Sequence, residues 1–131
     1  MSESNYQLIV PTNQTVTGPK FRNEGDQVIV DYDYERDDGS VMWSQITFKD
    51  VLAFEYRQDV CCRETDIPDG SSEVQVFEQS PYLSDVVGRW QEAVGWEDYQ
   101  QQKGGAGRFK HFIVYFDNAA SINVVAATVS S

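Results

Sequence analysis

His111 is the only histidine in the chain, so a Ser–His or Cys–His nucleophilic pair would have to use it. It sits between Lys110 and Phe112 in a stretch that reads as a strand. There is no Gly-x-Ser-x-Gly elbow, and neither Cys61 nor Cys62 has the surroundings of a known cysteine nucleophile. A lone histidine on a strand is more often packed and hydrogen-bonded than basic, so no catalytic residue is assigned. The adjacent Cys pair cannot staple distant strands, and a disulfide between neighbours closes a strained ring. Two free thiols in a reducing compartment are expected. One Cys pair and one distant His fall short of the four ligands of a structural zinc site. Gly104 to Gly107 (GGAG) precedes a strand rather than a helix and lacks the Gly-Lys-Ser/Thr ending, so it reads as a loop and not as a phosphate cradle. Carboxylate pairs for glycoside chemistry abound in any acidic chain, and spacing selects none of them. No cofactor or metal is expected.

The densest charged feature is Asp31, Asp33, Glu35, Asp37 and Asp38. The calcium-loop pattern D-x-[DN]-x-[DN]-G is not met, because Glu35-Arg36 interrupts it and Gly39 falls too late. The plain reading is a solvated strand face running into a turn, since the acids alternate with Val28, Val30, Tyr32 and Tyr34. The functional reading is a negative patch that steers a basic protein partner. Trp43, Trp90 and Trp96 with Tyr82 and Tyr99 could form an aromatic binding surface, although Trp90 falls on the apolar stripe of a helix, which favours the core. Trp96 and Tyr99 lie in a polar stretch after that helix and are the candidate anchors of an interaction surface.

The elements that must position these groups follow from composition and period. The chain has 131 residues, one domain's length, with 40% hydrophobic and 24% charged residues. Its 16 Val and 6 Ile against 3 Leu, with 7 Phe and 7 Tyr, favour pleated sheet over helix. Ten basic residues face 21 acidic ones, a net charge of -11. That balance argues against nucleic acid and against an anionic membrane surface. The opening Met1-Ser2-Glu3-Ser4-Asn5 has no basic or apolar leader region and no apolar run is long enough to span a bilayer, so a cytoplasmic protein is expected.

Strands are predicted at Tyr6 to Val10, Gln27 to Glu35, Val41 to Phe48, Val51 to Arg57, Glu73 to Glu78, Arg108 to Asp117 and Ser121 to Val129. Asp38-Gly39 makes a hairpin of the second and third, and the next strand extends it into a meander. Ser80-Pro81 opens the one helix, with Ser as N-cap and Pro at the first helical position. Tyr82, Leu83, Val86, Val87, Trp90, Ala93 and Val94 form its apolar stripe, and Gly95 stops it. The expectation is a single α+β domain over residues 1–131: a mostly antiparallel sheet of about six or seven strands with one helix on a face.

Ile46-Thr47-Phe48 followed by Val51-Leu52-Ala53-Phe54-Glu55-Tyr56, the Ser80-x-x-Leu83 helix start, and Lys110-His111-Phe112-Ile113-Val114-Tyr115-Phe116-Asp117 leading to Ile122-Asn123-Val124-Val125-Ala126 resemble the C-terminal half of small bacterial immunity-type proteins of polymorphic or contact-dependent toxin systems. The resemblance implies a non-enzymatic inhibitor of a cationic toxin domain. Under it, Asp31, Asp33, Glu35, Asp37 and Asp38 steer association while Trp96 and Tyr99 anchor it. The alternative is a structural or assembly subunit, such as a homodimer formed through strand edges.

Overall fold

Residues 6–8, 19–58, 73–94, 108–116 and 120–131 are described by the computed structural model. Their order is β1 (Tyr6–Gln7), β2 (Lys20–Glu24), β3 (Gln27–Glu35), β4 (Val41–Lys49), β5 (Ala53–Gln58), β6 (Glu73–Phe77), α1 (Pro81–Val94), β7 (Lys110–Phe116), β8 (Ala120–Ala126) and β9 (Thr128–Ser130). The expected α+β class and antiparallel pairing are present. The strands divide between two sheets rather than forming one: a five-stranded sheet in the order β1-β6-β7-β8-β5 and a four-stranded sheet in the order β2-β3-β4-β9.

The two sheets stack face to face. Val28, Val30 and Tyr32 of β3 and Ile46 and Phe48 of β4 turn one way, as their register dictates. They meet Phe112, Val114 and Phe116 of β7 and Ile122, Val124 and Ala126 of β8 in one buried cluster. Phe48 packs against Phe112 at 5.6 Å between ring centroids, and Tyr32 against Phe116 at 5.4 Å. Helix α1 covers the opposite face of the five-stranded sheet, setting Leu83 and Val87 on Phe109 and Val125. Trp90, partly buried, packs edge-on against Phe109 at the margin of that layer, on the core side of the helix as expected. β7 therefore has apolar neighbours on both faces, which is why its second half reads as continuously apolar.

The expected meander breaks after β4. Asp50 adopts a left-handed backbone conformation (φ 55°), one that Asp tolerates better than most residues, and it ion-pairs with Arg108. The chain there leaves the four-stranded sheet, and β5 pairs with β8 in the other. The C-terminal stretch makes the reverse crossing at Ala127, splitting the single expected strand into β8 and β9. The two crossings are tied together: Ala127 N–H donates to the Lys49 carbonyl (3.0 Å) and Leu52 N–H to the Val125 carbonyl (2.8 Å).

β2 was not legible as a strand. All five residues are exposed and lack apolar alternation. It is held by a two-residue loop, Gly25-Asp26, between the paired Glu24 and Gln27. Gly25 has φ 65° and Asp26 does not have positive φ, the sign pattern of a type II′ hairpin turn. The β3–β4 hairpin forms as expected, with Glu35 opposite Val41. Gly39 supplies the positive φ (84°), and its N–H donates to the Arg36 carbonyl. No helix among the described residues is long and apolar enough to cross a membrane.

Candidate functional site

Two places concentrate side chains with chemical or binding potential. The first lies beneath the N-terminus of α1. Ser80 caps the helix: its Oγ accepts from the Leu83 N–H at 3.0 Å, as its sequence position predicts. The same hydroxyl lies 2.8 Å from His111 Nδ1 on β7. His111 Nε2 lies 2.7 Å from Asn123 Oδ1 on β8. One proton arrangement satisfies every atom: Leu83 N–H to Ser80 Oγ, Ser80 O–H to His111 Nδ1, and His111 Nε2–H to Asn123 Oδ1. The imidazole is buried and sits between the rings of Tyr82 (5.0 Å) and Phe77 (5.7 Å).

A serine, an imidazole and an amide in a chain have the outline of a nucleophilic triad, but the surroundings do not serve acyl chemistry. The residue after a nucleophile at a strand-to-helix turn normally contributes its N–H to the oxyanion. Here that residue is Pro81, which has no N–H. The Leu83 N–H is taken by the serine itself. The arrangement instead pins the first turn of α1 to β7 and β8. Nearby, Glu55 and Arg57 on β5 form an ion pair at 2.8 Å. Burial pushes the Tyr82 phenol up to about 12; the Glu55 charge adds to this and Arg57 opposes it.

The second place is the outer half of the β3–β4 hairpin, an arm whose turn and first β4 residues are exposed on both faces. Val41 is 50% exposed, Met42 41% and Trp43 49%, three apolar residues in succession. Val41 and Trp43 lie on the sheet's outer face and Met42 on its inner face, where period-two alternation would bury one set. Lys20 Nζ stands 5.0 Å from the Trp43 ring centroid. At the turn, Glu35, Arg36, Asp37 and Asp38 are all exposed. Asp38 is held in place by Ser40, whose Oγ–H (2.6 Å) and N–H (2.9 Å) both donate to its Oδ1. Those bonds, the hydroxyl first, hold its carboxyl below the usual carboxylate range.

The five acids singled out in the sequence do not share one surface. Glu35, Asp37 and Asp38 cluster at the arm's tip. Asp31 is half-buried and engaged by Arg22, whose Nε and Nη2 approach its two carboxylate oxygens at 2.7 and 3.3 Å. Asp33 corrects the expectation of a solvated acidic face, because it is only 2% exposed. It lies opposite Trp43 of β4, two residues beyond the last β3 position that pairs with β2; Ile29 on the same face is buried too. Trp96 and Tyr99, like the Cys pair and the Gly104 to Gly107 loop, fall outside the described residues. Trp43 was among the aromatics that could form a binding surface, but Val41 and Met42 were missed beside it because their spacing alone reads as an ordinary strand. Three large apolar residues beside an acidic turn were the available signal.

Among the described residues, no group of three or more His, Cys, Asp or Glu side chains could hold a metal ion. Compared with known proteins, the chain matches no family model, no curated protein and no solved structure.

Proposed function

We propose that this protein is a non-enzymatic, acidic binding protein that captures a cationic protein partner on the β3–β4 arm. The observation that carries the reading is the arm itself: Val41, Met42 and Trp43 exposed in succession beside Glu35, Asp37 and Asp38. Clustered exposed apolar residues with a polar rim mark interaction sites, and Trp is enriched at binding hot spots. The acids at the tip, in a chain of net charge -11, attract a basic partner from a distance and set its approach. Trp43, steadied by Lys20, then supplies the buried anchor. The resemblance to immunity-type proteins makes that partner a basic toxin domain and the activity its inhibition.

The test is a pull-down from lysate of the encoding organism, at low and high salt, with wild type beside Trp43→Ala and Glu35→Gln/Asp37→Asn. A basic protein should be retained by wild type at low salt, released at high salt, and lost from Trp43→Ala, for which about 2 kcal/mol or more of binding is expected. Equal retention by all three proteins would contradict the assignment. Recovery of this chain alone would favour self-assembly.

A further inference from the structure

We propose that the partner contributes an extended, cationic segment that pairs as an added strand along the open edge of β4 between Val41 and Ile46, end to end with β9; this rests on the arm being the capture surface. On one side, β4 pairs with β3 from Val41 through Phe48. On the other, β9 pairs only with Thr47, Phe48 and Lys49. Among the described residues, the first six residues of β4 therefore have a strand neighbour on one side only. Exposed strand edges are ordinarily guarded by charge, proline or a bulge, because their free backbone groups recruit other chains. The opposite edge of the same sheet follows that rule, with Lys20, Arg22 and Glu24 on β2. The open part of β4 carries Val41-Met42-Trp43 instead. A strand laid there continues the sheet, takes up the free backbone groups and buries these side chains on both faces.

Charge and geometry select the occupant. The acidic turn of Glu35, Asp37 and Asp38 lies at the far end of the edge and favours a Lys- or Arg-bearing strand. A second copy of β4 fits poorly. Laid antiparallel over the same residues, it brings its own turn against Thr47, which already pairs with Ser130. It also brings together two chains of net charge -11.

The probe is a blocked octapeptide alternating Val and Lys, compared with the same peptide carrying Glu for Lys, added to the full chain while backbone amide exchange is followed residue by residue. The Val–Lys peptide should slow exchange within Val41 to Ile46 about tenfold or more and leave Lys20 to Glu24 unchanged, with binding about tenfold weaker in Trp43→Ala and in Glu35→Gln/Asp37→Asn. Equal protection by the Val–Glu peptide would overturn the charge selection. Peptide binding that shifts the tip residues without protecting Val41 to Ile46 would overturn strand addition while leaving capture by the arm intact. No binding of the cationic peptide overturns both. Protection that appears on raising protein concentration alone would put a second copy on the edge and overturn the proposed occupant.

Discussion

Ser80 carries two duties with one oxygen. Its hydroxyl caps α1 and donates to a buried imidazole, so removing it costs both interactions. Ser80→Ala should lower unfolding free energy by about 2–4 kcal/mol, combining a lost cap with a buried nitrogen left without its donor. Ser80→Gly separates the two, because glycine caps nearly as well; its cost should fall to about 1–3 kcal/mol in the same urea titration. Equal stability of wild type and both variants would show that the bonds to His111 and Leu83 carry no stabilisation. Tyr82 gives a test by pH. The folded state favours its neutral phenol, raised to about 12 against an ordinary 10.0, so the unfolded chain loses this proton first as pH rises. The stability that the neutral phenol supplies is complete below pH 10 and is lost as pH rises through about 12. Tyr32, raised in the same direction by burial, adds to the alkaline loss. Tyr82→Phe should therefore flatten, but not abolish, the fall in stability above pH 10; an unchanged alkaline limb would contradict this. At this scale the sequence was readable where chemistry is local: the cap at Ser80-Pro81 and a packed, hydrogen-bonded His111. Asn123 was not, because the pairing that sets it beside His111 is made between strands.

Hairpins were legible where a turn residue stood between alternating runs, as at Gly39. β2 hid because all five residues of Lys20–Glu24 are exposed and Phe21, packed edge-on against Phe54 and Tyr56, is its one apolar side chain, too little to mark an alternating pattern. Gly25 was its only signature. With φ 65° and nothing within 4 Å of an added Cβ, Gly25→Val adds backbone strain without a steric clash. It should cost about 1–2 kcal/mol, read from the denaturation midpoint. A neutral outcome would mean that β2 pairs without that turn. The break in the meander at Asp50 was not legible. Strand identity depends on local pattern, whereas the choice of partner depends on where β8 and β9 arrive from the far end of the chain. Lys49-Asp50 reads equally well as a tight turn within one sheet or as a crossing between two.

Across the whole molecule, one apolar layer joins both sheets, and the helix seals the outer face of one of them. Phe112 is buried between the sheets, so Phe112→Ala should cost about 3–5 kcal/mol. Trp43→Ala should stay within about 0.5 kcal/mol, as expected of a half-exposed side chain proposed to act in binding rather than in the fold. A large loss of stability in Trp43→Ala would make that residue structural and remove the anchor from the arm. The proposed binding surface was half legible. Composition and charge indicated an acidic β-rich domain suited to a basic partner, and Glu35, Asp37 and Asp38 do stand exposed. Asp31 is engaged by Arg22 from β2 and Asp33 is buried opposite Trp43 on β4, neighbours that a one-dimensional pattern does not supply. The most direct test of the arm as the capture surface is site-specific photo-crosslinking in cells of the encoding organism. A benzophenone side chain would replace Met42 in one variant and the exposed helix residue Glu92 in another. The arm reading predicts an adduct with a basic protein from position 42, suppressed by salt in lysate and missing from position 92. Identical adducts from both positions, or an adduct of this chain with itself alone, would contradict it.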